Sequence, residues 1–156
     1  MTSSTGQDDP HPRVVSDSVE VDAPPAVVFA ILADPRQHQR IDGSGSLRGS
    51  VSGPERLTKG AHFGMDMRMF GLPYKIRNTV VELEEGRRIA WRHFGGHVWR
   101  YLLEPVDERH THVTEQFDPT GSRAPVVLAL MRARRNNARS INATLDRLQR
   151  WARDRP

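Results

Sequence analysis

The sequence predicts an α+β fold in which an antiparallel sheet of about seven strands is followed by a long C-terminal helix. Three observations carry this expectation. Six short segments between Leu47 and Phe117, several of them alternating, are separated by tight turns, the pattern of an antiparallel meander. A further alternating segment comes before them and leads into a proline-started helical stretch. The last part of the chain carries one apolar stripe at spacings of three and four.

The elements follow in order. Residues 1–13 are rich in Ser, Asp and Pro and read as a disordered tail, so residues 14–153 are the expected single domain. Val15, Val19 and Val21 alternate in a first strand over Val14–Val21. Asp22-Ala-Pro-Pro starts a helix through Val28 and Leu32, and Asp34-Pro35 ends it, because the residue before proline avoids helical geometry. A second short helical turn is expected over Arg36–Arg40. Strands follow at Leu47–Ser52, His62–Phe70, Tyr74–Glu84, Arg88–Phe94, His97–Leu103 and Thr111–Phe117. Gly71-Leu-Pro73, Glu85-Gly86 and Gly95-Gly96 are the expected turns between them. Pro125 fits the first turn of the last helix, which reaches about Arg153. Its stripe is Val127, Leu130, Met131, Ala138, Ile141, Leu145, Leu148 and Ala152.

Composition narrows the function classes. At 156 residues and 37% hydrophobic content the chain suits one domain with one core. It has no cysteine, which excludes disulfides and thiolate metal sites. No run of apolar residues is long enough to span a bilayer. The polar N-terminus does not read as a secretory signal, so a cytoplasmic location is the default expectation. From Arg123 onward nine arginines face two aspartates, a local balance of +7 in a chain of +4. Such a helix face is either solvated or a surface for anionic lipid, nucleic acid or an acidic partner.

Several stretches, taken in order, resemble the START-related superfamily called SRPBCC, in its polyketide cyclase/dehydrase and lipid-transport group. They are Val19-Glu-Val-Asp-Ala-Pro-Pro-Ala-Val-Val-Phe29, Ala33-Asp-Pro-Arg-Gln-His38, Asp42-Gly-Ser-Gly45, Thr79-Val-Val-Glu82, Arg88-Ile-Ala-Trp91, Trp99-Arg-Tyr-Leu-Leu-Glu-Pro105 and Val113-Thr-Glu115. The resemblance implies a helix-grip fold, a curved sheet wrapped round the last helix with an apolar cavity between them. It implies no single activity, since members include carriers, cyclases and hydrolases.

The residues themselves give the candidate site. Trp91, Trp99 and Tyr101 fall on one strand parity and offer aromatic area to an apolar ligand, or simply to the core. Met67 belongs to a stripe with Met65 and Met69, adaptable side chains suited to an apolar site or to packing. Asn78, His93 and Glu115 share the parity of Ile76, Trp91 and Val113, so inward strands place these polar groups inward. Buried, they need partners or shifted pKa values, and they could orient a carbonyl or act as acid and base. Arg134 lies about 20° from Ile141 on the helical wheel, inside the apolar stripe, with small Ala138 one turn on. It could anchor a ligand oxygen or pair with Glu115. His93, Glu115 and Arg134 are thus the catalytic candidates.

His93, His97, His110 and His112 form no recognised ligand motif, so no metal is expected. Gly43-Ser-Gly45 fits no dinucleotide fingerprint, and no cofactor is expected. Three functions compete. The first is a binding or carrier domain for a lipid, polyketide or similar apolar metabolite. The second is a cyclase or dehydratase using the same pocket. The third is an interaction protein using the arginine-rich helix on nucleic acid or an anionic membrane; no nucleic-acid motif is present, so no nucleic acid is expected, while peripheral membrane contact stays open. The oligomeric state is open.

Overall fold

The computed structural model describes the backbone of residues 14–43, 47–69, 71–121 and 124–154, and the side chains within those ranges except residues 47–50, 67–69, 74 and 124–137. The expected tail over residues 1–13 lies outside the described residues. The strands are β1 (Val15–Val21), β2 (Leu47–Ser52), β3 (His62–Met69), β4 (Leu72–Glu84), β5 (Arg88–His93), β6 (Val98–Pro105) and β7 (Thr111–Asp118). The helices are α1 (Pro25–Leu32), α2 (His38–Ile41), with a 3-10 turn at Pro35–Gln37 before it, and α3 (Ala124–Arg153).

The seven strands form one antiparallel sheet in the order β1-β7-β6-β5-β4-β3-β2. Strands β2 to β7 are a plain meander, and β1 closes on β7 with Val19 opposite Val113. Turn glycines allow this: Gly86 and Gly96 sit at φ of 75° and 99°, left-handed geometry that side chains disfavour. One expected turn differs. Leu72 and Pro73 already belong to β4, opposite Met69 and Arg68, so among the described residues Gly71 (φ 76°) makes the turn. A register shift between Val80 and Glu82 marks a bulge, a device that bends a strand.

Helix α1 starts at a proline and buries Val28, Phe29, Ile31 and Leu32. Asp34 then caps the 3-10 turn by accepting from the Arg36 amide at 3.0 Å. Helix α3 runs 30 residues, about 45 Å at 1.5 Å each, and packs mainly on β1. Its described core residues are Ile141, Leu145, Leu148 and Ala152. They repeat at three and four, so one face meets the sheet. The expected stripe members Val127, Leu130 and Met131 lie outside the described side chains. Inward sheet residues complete the core: Phe63, Val80, Ile89, Trp91, Tyr101, Leu103, Val113 and Phe117.

Candidate functional site

Strand pairing brings the inward side chains into rows. Trp91 on β5 stands opposite Trp99 on β6, and Trp99 stands opposite Phe117 on β7. Ile89 faces Tyr101, which faces Glu115. Asn78 on β4 faces His93 on β5. Side chains directly opposite in antiparallel strands share a face. Six residues chosen from strand parity are therefore held on one concave surface: Asn78, Trp91, His93, Trp99, Tyr101 and Glu115.

These six line a partly open cavity of about 130 Å³. Met65 and Ile76 add apolar wall from β3 and β4, His38 and Ile41 of α2 and Asp42 just after it close one side, and Ser140 and Thr144 contribute from α3. Its described lining contains no lysine or arginine. Aromatic packing fixes its shape. His38 stacks on Trp91 with centroids 4.8 Å apart, while Phe63 meets Trp91 edge-on at 5.4 Å.

Three of the polar lining residues are deeply buried. Glu115 is 3% exposed, Asn78 2% and His38 4%. The Tyr101 hydroxyl donates to Glu115 Oε1 at 2.8 Å. Burial penalises the carboxylate more than this bond favours it, and Asp42 adds repulsion, so the Glu115 pKa is pushed up to about 8. The tyrosine is raised by burial and by Glu115 as well. At neutral pH Glu115 is therefore mostly a neutral acid. Because Oε1 accepts from Tyr101, the proton belongs on Oε2, which has no partner within the described protein.

His38 is the group that sequence reasoning missed. Its Nε2 lies 2.8 Å from the Leu32 carbonyl. A carbonyl only accepts, so Nε2 carries the hydrogen. Burial lowers its pKa against the Leu32 hydrogen bond, which leaves a neutral ring with a bare Nδ1. That Nδ1 is buried without a partner, as is Asn78 Oδ1. The residue sits in Arg36-Gln-His-Gln-Arg40, where polar neighbours give no sign of burial. Its one cue is Ile41, which anchors the turn in the core.

His93 lies at the cavity end of the β5–β6 hairpin. Its Nδ1 accepts from the Gly95 amide at 3.0 Å, and its ring stacks on His97 at 4.3 Å. Burial lowers both, and His93 adds to the effect on His97, whose pKa falls to about 4. Among its described residues, helix α3 presents one flank to the cavity. Taking 100° per residue, Ser140 and Thr144 lie about 100° and 60° to one side of Ile141, and Ala138 about 60° to the other. Accordingly Ser140 and Thr144 line the cavity while the half-buried Ala138 is not among its lining residues. The Met67 and Arg134 side chains lie outside the described residues.

One group among the described residues has metal-ligand geometry, Glu20, Asp22 and His110, whose ligand atoms lie within 4.8 Å of one another. It is at the surface, away from the cavity. There the His110 ring pairs with Asp107 at 2.8 Å and Asp22 at 3.5 Å. The hydrogen bond to Asp107 raises its pKa, as expected of an ion-paired imidazolium.

Comparison with known proteins agrees with this architecture. The sequence profile described as polyketide cyclase/dehydrase and lipid transport matches residues 12–153. The Mycobacterium tuberculosis (strain H37Rv) protein Rv0088, described as uncharacterized, is 41% identical over 152 residues, which cover 94% of this chain and 68% of that protein. Among solved structures, the polyketide-cyclase-like protein Cgl2372 of Corynebacterium glutamicum superposes with a TM-score of 0.63 at 24% identity, covering 91% of this chain and 92% of its own. The ZhuI aromatase/cyclase of Streptomyces sp. R1128 gives a TM-score of 0.64 at 17% identity, covering 90% and 96%. At these identities the two structures establish the fold alone.

Proposed function

This chain belongs to the polyketide cyclase/dehydrase and lipid transport family, and we propose that residues 14–153 act as one domain that binds an apolar small molecule, such as a lipid or polyketide-type metabolite, in the cavity between sheet and α3. The carrying observation is an aromatic-walled cavity whose buried polar atoms, Glu115 Oε2, Asn78 Oδ1 and His38 Nδ1, have no partner within the described protein. Buried polar groups in folded proteins are nearly all paired, so three orphans on residues that line one cavity favour an occupant. Native mass spectrometry of the purified full chain tests this. It should show a bound small molecule that is lost, or much reduced, in Trp99→Ala but kept in Trp151→Ala. Equal occupancy in both folded variants would place the ligand elsewhere.

A second reading, chemical conversion of the bound molecule, is favoured by the protonation states. Neutral His38 can accept a proton and neutral Glu115 can give one, the pair that loss of water from a β-hydroxy carbonyl requires. His38 Nδ1 would take the α-proton while Glu115 protonates the departing hydroxyl. The products are water and a conjugated alkene, and solvent resets the two residues. Turnover of a β-hydroxy ketone that falls by about a hundredfold in Glu115→Gln would support this reading. Equal turnover in the variant would remove it.

A further inference from the structure

The orphaned atoms also say what kind of molecule fits, an inference that rests on the binding role proposed above. They come from three walls: Glu115 on β7, Asn78 on β4 and His38 on α2. The cavity that these residues line, about 130 Å³, is of the order that holds one six-membered ring, and its partly open side lets substituents extend. Two of the atoms, Asn78 Oδ1 and His38 Nδ1, are acceptors. The third, Glu115 Oε2, bears the acid's hydrogen because Tyr101 occupies Oε1 as a donor. The described lining offers no lysine or arginine, and a charge buried without a partner is costly, so an uncharged molecule suits these described walls.

We propose that the cavity takes an uncharged, ring-sized molecule carrying both a carbonyl and a hydroxyl group, the carbonyl accepting a hydrogen bond from Glu115 and the hydroxyl donating one to His38 Nδ1 or Asn78 Oδ1. Glu115, Asn78 and His38 are then the residues that set specificity, and the aromatic walls supply the affinity common to all ligands. This differs from an arginine-anchored site for acidic ligands, the expectation attached to Arg134.

Three small probes separate the claims: toluene for the apolar walls, 3-hydroxyacetophenone for the full donor–acceptor pattern, and benzoate for an anion of similar size. Each is titrated calorimetrically into the full chain at pH 6.5. The hydroxyketone should bind at least tenfold tighter than toluene, and benzoate should bind weakest. Asn78→Leu and Glu115→Leu should each cut the hydroxyketone-to-toluene affinity ratio by about three- to tenfold, the worth of one net hydrogen bond. Glu115→Gln, which keeps a neutral donor, should cut it less than Glu115→Leu. Thermal melts of each variant establish that it is folded. Toluene binding as tightly as the hydroxyketone, or benzoate binding more tightly, overturns the specificity while leaving the cavity as a binding site. Failure of all three probes overturns the binding role itself.

Discussion

Glu115 links the chemistry of the site to the stability of the fold. Its pKa is raised from the ordinary 4.5 to about 8, chiefly by burial. Between those values the folded state holds a proton that the unfolded state has released, so stability falls as pH rises through this window. The limiting slope for one group is roughly 1.4 kcal/mol per pH unit. His38, His93 and His97 act in the opposite sense, since burial lowers all three. Below pH 6.5 the unfolded chain takes up their protons and the folded chain resists, so stability falls as pH drops. The chain should therefore be most stable between about pH 6 and 7. Urea unfolding from pH 5 to 9 measures this, and Glu115→Gln should flatten the decline on the alkaline side. A variant with the same alkaline slope as the parent would assign that decline to another group.

Between elements, the decisive junction is where Asp42 and Gly43, just after α2, lie against α3. The Gly43 amide donates to Thr144 Oγ1 at 2.9 Å, and the Arg147 guanidinium donates to the Asp42 carbonyl at 2.7 Å. A Cβ at Gly43 would sit 2.7 Å from the Ala143 carbonyl carbon and closer still to the Thr144 amide nitrogen. Backbone cannot yield as a side chain tip can. Gly43→Ala should therefore cost about 1–3 kcal/mol, more than Thr144→Ala, which removes about 1 kcal/mol of hydrogen bonding. Equal losses in chemical denaturation would contradict the close packing. The same helix is part of the core. Ile141, Leu145 and Leu148 are each 2% exposed or less, and burying each contributes about 1.5–3 kcal/mol. Against a net stability of about 5–15 kcal/mol, a chain ending before Pro125 should lose its cooperative melt. The arginines of this helix are partly used within the chain. Arg150 pairs with Asp146 at 2.8 Å, and Arg147 is bound to the Asp42 carbonyl.

For the whole molecule, period-two alternation and turn glycines made the meander legible, because a sheet with one buried face writes its register into the sequence. The same parity placed Asn78, His93 and Glu115 beside the tryptophans. It could not reveal the Tyr101–Glu115 bond, which depends on β6–β7 register, nor His38, whose burial comes from α2 docking over Trp91. The cavity-facing flank of α3 was equally hidden, since a helical stripe marks what is most buried and not what borders a void. Ser140 and Thr144 lie beside that stripe, on the side away from Ala138.

The central claim is that Trp91, Trp99 and Tyr101 wall a ligand cavity. Trp151 is a built-in control, with its indole Nε1–H donating to Gln37 Oε1 at 3.0 Å and Arg40 over its ring at 4.5 Å, outside the cavity lining. The most direct measurement is isotope-filtered NMR of the labelled full chain with unlabelled toluene, recording which ring protons show intermolecular Overhauser contacts. The account predicts contacts to Trp91, Trp99 and Tyr101 and none to Trp151. Contacts confined to Trp151, or none to the three cavity rings at saturating toluene, would contradict it.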